Sequence, residues 1–461
     1  MIPFTAEIYS NRRKHLRELM GSGRLLLLGN EDSSMNYKDN CYRFVQDSTF
    51  LYYFGINQPG LYALIDADSG EDIIFGNELS IDDIIWTGPL PTLKARAESV
   101  GVDKVIIPSE IKSYLNSDTL YLPPYRPEHE IKLSRLLNKS IDSLMPNVSL
   151  DLLQHISNQR TIKSEEEINQ MHEACTFSAE AHSALMKSAT PEMYEHHLVG
   201  IFEKIGMNHD VHTAYPTICS INGQVLHNHH YHNKLKEGRL VLVDGGLNSK
   251  GGYAGDLTRT FPVSPTFTTR QKEIYNIVLE GFEHAIKIAK PGMLFRDLHL
   301  QTAVRMTEGL VAAGIMKGNA EDAVADGAHT LFFPHGLGHL IGLDVHDLEN
   351  FGEEHIGYLP DLKKSKEFGL KSLRLGKALQ SGYAVTVEPG LYFIPELMAK
   401  KKSDGLHKDF INYDRVESYS DFGGIRLEDN FVMRDNGFEK LGDYLARSTD
   451  EIEELRAQAY S

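Results

Sequence analysis

Four carboxylates and one imidazole stand in ordered frames along the second half of the chain. They are Asp244 in Val-Asp-Gly-Gly, Asp256 in Gly-Asp-Leu-Thr-Arg-Thr-Phe, His339 in His-Gly-Leu-Gly-His, Glu388 in Thr-Val-Glu-Pro-Gly and Glu428 in Gly-Ile-Arg-Leu-Glu-Asp-Asn. Oxygen-rich sites suit Mg, Mn and related ions, and imidazole admits Mn, Co, Fe or Zn. Four negative charges balance two divalent ions, and a pair of such ions activates water at neutral pH. That is hydrolytic chemistry. Taken singly, each aspartate reads equally well as a turn cap. His335 and His339, four apart among Leu337, Leu340 and Ile341, read singly as polar residues on a helix turn or as core histidines. The ordered set of five argues against those readings.

The elements that must carry these groups are legible. Arg239-Leu-Val-Leu-Val-Asp244 is a buried strand ending in an acid, and Gly255 to Phe261 alternates apolar and polar residues. Two adjacent strands joined by Gly-rich chain would deliver both aspartates to one side. Ala384-Val-Thr-Val-Glu and Gly424-Ile-Arg-Leu-Glu place their glutamates at strand ends. Arg426, two residues before Glu428, shares its strand face, which suits pairing with a ligand carboxylate or with substrate; a surface arginine is the plain alternative.

Upstream, Ser164 with Glu167 forms a capping box that opens a helix with the stripe Ile168, Met171, Cys175 and Ala179. A second helix runs from about Arg270 to Ala289. Ala189-Thr-Pro-Glu-Met193 and Ala289-Lys-Pro-Gly-Met293 share one pattern, each between two helices, which hints at an internal duplication. Residues 1–158 read as a small α/β domain. Its strand runs are Arg24 to Gly29, Phe50 to Gly55, a hairpin around Asp68-Ser-Gly-Glu, and Lys104 to Pro108. The boundary falls near Gln159. Two polar stretches, 350–372 and 397–420, read as surface loops, and Asp450 to Arg456 as an exposed helix.

Composition excludes several classes. Of 461 residues, 41% are hydrophobic and 24% charged, an ordinary globular balance, and the formal net charge is −17. Nucleic acid and anionic membrane both call for basic footprints, so neither is expected as a partner. Cys41, Cys175 and Cys219 make no C-x-x-C spacing and no disulfide framework. Thiols of this kind, with no signal-peptide pattern and no long apolar run, place the expected setting in the cytoplasm.

The five frames resemble those of the metal-dependent Xaa-Pro peptidases of pita-bread fold, the group of prolidases, aminopeptidases P and methionine aminopeptidases. His335-Gly-Leu-Gly-His-Leu-Ile-Gly-Leu-Asp-Val-His-Asp347 is similar to the proline-peptidase signature throughout, and the resemblance runs from about Tyr42 to about Glu454. It implies an α+β architecture: a catalytic domain over 159–461 with pseudo-twofold halves, preceded by a smaller α/β domain serving oligomerisation and site access. It implies two divalent ions, Mn first and Co, Zn or Fe as alternatives, on Asp244, Asp256, His339, Glu388 and Glu428. Glu388 is also the implied general base. His346 is assigned to the developing oxyanion, His227 to the substrate and His335 to the substrate rim. His229, His230 and His232 then read as solvated loop histidines rather than a separate metal tract.

Within that family two activities compete. A dipeptidase must read the free carboxylate of an Xaa-Pro dipeptide, and a guanidinium fork is the natural reader. Gly369-Leu-Lys-Ser-Leu-Arg374 resembles the prolidase segment that supplies it, and Asp421-Phe-Gly-Gly-Ile-Arg and Tyr392-Phe-Ile-Pro-Glu-Leu also resemble prolidase. The expected activity is Xaa-Pro dipeptide hydrolysis. The alternative is an aminopeptidase P acting on longer peptides, and, from another class, a non-catalytic binding protein on the same scaffold. A creatinase-like hydrolase should lack the ligands, and a methionine aminopeptidase the large N-terminal domain. Trp86, in Trp-Thr-Gly, is the only tryptophan. The resemblance places it against a neighbouring subunit's site in a homodimer or dimer-based oligomer; core packing is the plain alternative.

Overall fold

A computed structural model describes residues 3–228 and 230–460, so His229 lies outside the described residues. The chain divides into two compact units, Met1–Arg160 with Leu348–His355, and Thr161–Asp347 with Ile356–Ser461.

The first unit is built on a sheet of order β4-β3-β2-β1-β5. Its strands are β1 (Arg24–Leu28), β2 (Tyr62–Asp66), β3 (Asp72–Phe75), β4 (Lys104–Ile106) and β5 (Leu120–Tyr121). The β2–β3 hairpin forms because the Asp66 carboxylate accepts from the backbone N–H groups of Asp68 and Ser69 at 2.9 and 3.1 Å, which closes the turn. One face buries Leu26, Leu64, Ile73 and Phe75 in a core that includes Leu133 of helix Pro127–Leu137. The N-terminal helix Ala6–Met20 is tied down by buried Arg13, which donates to Asp72 and to the Tyr53 carbonyl, both at 2.7 Å.

The apolar run at Phe50 is not a strand. It lies in a helix, Ser48–Phe54. The Asp47 side chain accepts from Phe50 N at 2.8 Å and caps its start. Gly55 closes it in the left-handed region, at φ 62, where an added Cβ would meet the Tyr9 ring at 2.4 Å. Further on, helix Ile81–Thr87 buries none of its residues. Ile81, Ile85 and Trp86 are 73, 69 and 85% exposed, which rules out core packing for the tryptophan.

The second unit contains two helical hairpins. Glu165–Ser188 packs on Glu195–Asn208, and Thr269–Ile288 on Phe295–Ala312. Each first helix opens with a capping box, Ser164 with Glu167 and Thr268 with Gln271. Each closes on an alanine, Ala189 or Ala289, in nearly the same extended conformation before its proline. The repeated sequence pattern therefore marks repeated structure.

Around the hairpins lie β6 (Ile218–Ser220), β7 (Leu240–Gly245) and β8 (Leu257–Pro262), which form one antiparallel sheet. A second sheet joins β9 (Ala384–Val387), β12 (Asp429–Arg434) and β13 (Gly437–Lys440), while β10 (Gly390–Phe393) pairs with β11 (Gly423–Arg426). The stretch 397–420 is half helical rather than all loop, with helices Pro395–Ser403 and Tyr413–Glu417, and 350–372 contains short 3-10 turns. The C-terminal helix Thr449–Ala457 is not simply exposed. It buries Ile452 and Arg456, and Arg456 donates to the carbonyls of Met186, Ala189 and Val263. Among the described residues no helix is long and apolar enough to cross a membrane.

Candidate metal centre and substrate cavity

Strand pairing brings the first two acids together. Asp244 in β7 faces Thr258 in β8, and Asp256 immediately precedes β8. Asn430 grips the Asp256 backbone from both sides. Its Oδ1 accepts from Asp256 N at 2.9 Å, and its Nδ2 donates to the Asp256 carbonyl at 2.6 Å. Glu428 sits in the break between β11 and β12, where Thr258 and Glu428 exchange backbone hydrogen bonds. The Thr258 hydroxyl donates to Glu428 Oε2 at 2.6 Å.

Glu388 follows β9, and His339 runs beside that strand through backbone bonding with Thr386. Gly338 is required there, because a Cβ would fall 2.0 Å from the Thr386 carbonyl oxygen. His339 Nδ1 donates to the Leu340 carbonyl at 3.0 Å. That bond commits Nδ1 as a donor, so Nε2 is the nitrogen that would hold a metal. Nε2 lies 3.4 Å from Asp256 and 3.5 Å from Glu388.

Asp256, His339 and Glu428 offer ligand atoms that all lie within 4.8 Å of one another, and all three residues are buried. Asp244 and Glu388 stand around this group. The Tyr215 hydroxyl contacts both Asp244 and Asp256. A phenol carries one proton, so it cannot serve two carboxylates as donor. Arg426 supplies a cation to Asp244 and donates to Thr258 Oγ1 at 3.1 Å and Tyr392 Oη at 2.8 Å.

The electrostatics follow from this crowding. Burial pushes the Glu388 carboxyl up to about 7, with Asp256 and Asp244 adding to the rise against His339 and Arg426. Glu428 is raised well above the carboxylate range by burial and by Asp256, Glu388 and Asp244. Burial raises Asp244 against the pull of Arg426. Such a cluster of like charges calls for cations, and its mixed oxygen and imidazole donors fit divalent metal ions.

The substrate candidates share one cavity with this cluster. His227, His335, His339, His346, Arg374, Glu388, Asp244 and Arg426 all line a space of about 410 Å³. The His346 ring stands edge-on to His339, centroids 4.3 Å apart. His335 is held neutral, pushed down to about 3 by burial and Arg426. Its Nδ1 donates to the Gly336 carbonyl at 2.8 Å, and its Nε2 accepts from the Tyr392 hydroxyl at 2.9 Å. Trp86 belongs to the other unit and is not among the lining residues.

Sequence reasoning missed Tyr215, Tyr392, Thr258, Thr386 and Asn430 as parts of the site. Thr258 was within reach, because strand alternation puts it on the Asp256 face. Tyr215, in Thr-Ala-Tyr-Pro, stands in no recognisable frame.

Residues 169–435 match the model of metallopeptidase family M24, and residues 9–129 match the aminopeptidase P N-terminal domain. The chain belongs to metallopeptidase family M24. An Xaa-Pro aminopeptidase of Escherichia coli is 30% identical, over 100% of this chain and 99% of its own length. A human Xaa-Pro dipeptidase is 31% identical, over 94% of this chain and 88% of its own length. Among solved structures, Zn-substituted E. coli aminopeptidase P in complex with product superposes with a TM-score of 0.80 at 29% identity, covering 99% of each chain. The same enzyme with the inhibitor Pro-Leu gives 0.81 at 28% identity, again over 99% of each. The α+β architecture expected from the sequence, an N-terminal domain before the M24 catalytic domain, is the one observed. As an M24 metallopeptidase the chain is an enzyme, not a binding module on an enzyme scaffold.

Proposed function

We propose that this M24 metallopeptidase hydrolyses Xaa-Pro bonds, preferentially in dipeptides, with two divalent ions held by Asp244, Asp256, His339, Glu388 and Glu428. Manganese is the proposed activator. When bound, the ions polarise the scissile carbonyl and lower the pKa of water. Glu388, with 18% of its side chain open, accepts the proton of the attacking water and passes it toward the leaving proline nitrogen. His346 donates to the developing oxyanion. His227 and His335 hold the substrate backbone. Because both His335 ring nitrogens are engaged, its contact is through the ring edge, and Tyr392 and Arg426 keep that ring in place.

The observation that carries the dipeptide reading is Arg374 in the wall of the catalytic cavity. A guanidinium there pairs with the proline carboxylate of a dipeptide, a charge that a longer peptide carries elsewhere. The second reading is aminopeptidase P, favoured by the end-to-end match with the E. coli enzyme. A homodimer or dimer-based oligomer is proposed on the exposed apolar helix Ile81–Thr87, with Trp86 reaching toward a neighbouring site.

The test is to strip the protein with chelator and titrate Mn²⁺ back while following Ala-Pro hydrolysis. Activity that returns and saturates near two ions per chain supports the proposal. Full hydrolysis by rigorously metal-free protein contradicts it.

A further inference from the structure

The second unit holds another cavity, of about 540 Å³, which shares no lining residue with the catalytic one. Its walls come from Leu300 and from three chain segments, 321–330, 367–370 and 401–407. Among its lining residues, His329 is 3% exposed, and neither ring nitrogen has a hydrogen-bond partner. Burial pushes this imidazole down to about 4, so it stays neutral and presents one N–H and one lone pair. Leaving both unmet in the interior is unfavourable, and a core position would favour an apolar residue.

Lys401 stands in the same lining. Its ammonium lies 5.2 Å over the Phe368 ring and 3.4 Å from His407 Nε2. His407 Nδ1 in turn donates to Asp326 at 2.5 Å, which turns Nε2 toward the lysine as an acceptor. Among the described residues Lys401 pairs with no carboxylate. The remaining lining is acidic, from Glu321 and Glu367, and apolar, from Leu300, Val324 and Leu370.

A cavity with an ammonium that has no carboxylate partner, separate carboxylates, an apolar wall and a buried neutral imidazole is complementary to a small zwitterion. A nucleotide is disfavoured by the acids, and the only compact metal-ligand group among the described residues lies elsewhere. We propose that this cavity binds a free α-amino acid with an apolar side chain, its carboxylate on Lys401 and the His329 N–H and its ammonium on the glutamates. The proposal rests on the peptidase reading only in that such a reaction releases free amino acids. The rings behind His329 lead toward the catalytic cavity: His299 lies 6.4 Å from it and 5.1 Å from Phe333, which meets His335 at 4.9 Å.

The test is calorimetry of L-leucine on the metal-loaded full chain, in wild type and in Lys401→Met, His329→Phe and Arg374→Ala. Binding should survive Arg374→Ala and weaken at least about tenfold in Lys401→Met, the loss expected for one charged contact. His329→Phe should also weaken it while melting no lower than wild type, which a structural histidine would not allow. 4-Methylpentanoate and 3-methylbutylamine, each lacking one charge, should bind more weakly than leucine. Binding that is lost in Arg374→Ala and untouched in Lys401→Met overturns the proposal, as does no binding up to about 10 mM. Dipeptide hydrolysis is assayed in the same samples. Its absence from wild type would defeat the peptidase reading and leave the leucine result standing on its own.

Discussion

The Thr258 hydroxyl donates to Glu428 at 2.6 Å while accepting from Arg426 Nε at 3.1 Å. The direction of the proton is therefore fixed, and Glu428 is aimed by a residue that does not itself belong to the ligand set. Thr258→Val keeps the volume and removes the hydroxyl. We expect metal affinity to fall by about 10- to 100-fold, as for other lost supports of a metal ligand. Competition against a fluorescent chelator measures it, and unchanged affinity would mean that Glu428 is positioned by its backbone alone.

Glu388→Gln should lose several orders of magnitude in kcat while the melting temperature holds or rises. The amide cannot take a proton from water, yet it removes a carboxyl that burial already disfavours in its charged form. A variant that loses only a few-fold in kcat would move the general base elsewhere.

The metal-free protein has a defined pH response. Glu388 titrates near 7 in the fold, above the ordinary 4.5, so the folded state holds more protons than the unfolded chain between those values. Stability of the metal-free protein must then fall as pH rises through that window. Divalent metal, which needs the ionised carboxyl, should bind more tightly as pH rises toward 7 and release protons on binding. Melting curves from pH 5 to 7.5, with and without Mn²⁺, test both signs, and Glu388→Gln should make the metal-free slope shallower, with the raised Asp244 and Glu428 carboxyls leaving a remainder.

Much of this arrangement is legible in the sequence, for identifiable reasons. Asp244 and Asp256 could be placed together because a buried strand, a glycine-rich turn and an alternating strand leave few alternatives. The two Ala-x-Pro-x-Met segments marked the helical hairpins because proline ends a helix, and the Ser164–Glu167 capping box marked the start of the first. Phe50 to Gly55 was misread because a short apolar run has no period of its own. The Asp47 cap and the left-handed Gly55 decided for helix. Tyr215 could not be found at all, since only tertiary folding brings it between Asp244 and Asp256.

Trp86→Ala tests the proposed assembly. Trp86 is 85% exposed in a helix with no buried residue, so its loss should leave the melting temperature of the unit unchanged. If a neighbouring subunit uses it, KM for the dipeptide should rise with kcat little affected. A strictly monomeric wild type with full activity in sedimentation and kinetic measurements at the same concentration would contradict the assembly.

Arg374→Ala separates recognition from architecture. A charge-assisted bidentate contact contributes roughly 1.5–3 kcal/mol, so kcat/KM on Ala-Pro should fall by about ten- to a hundredfold or more. Longer Xaa-Pro peptides should suffer much less. Equal loss on both would make Arg374 a structural residue.

The dipeptide preference proposed for this M24 cavity rests on Arg374 in its wall. The most direct measurement is a competition in one vessel, with Mn²⁺-loaded wild type offered Ala-Pro and Ala-Pro-Ala at equal concentration. Ala-Pro should disappear first, with a clearly higher kcat/KM. Preferential loss of Ala-Pro-Ala would contradict that preference and assign the chain to the aminopeptidase P reading.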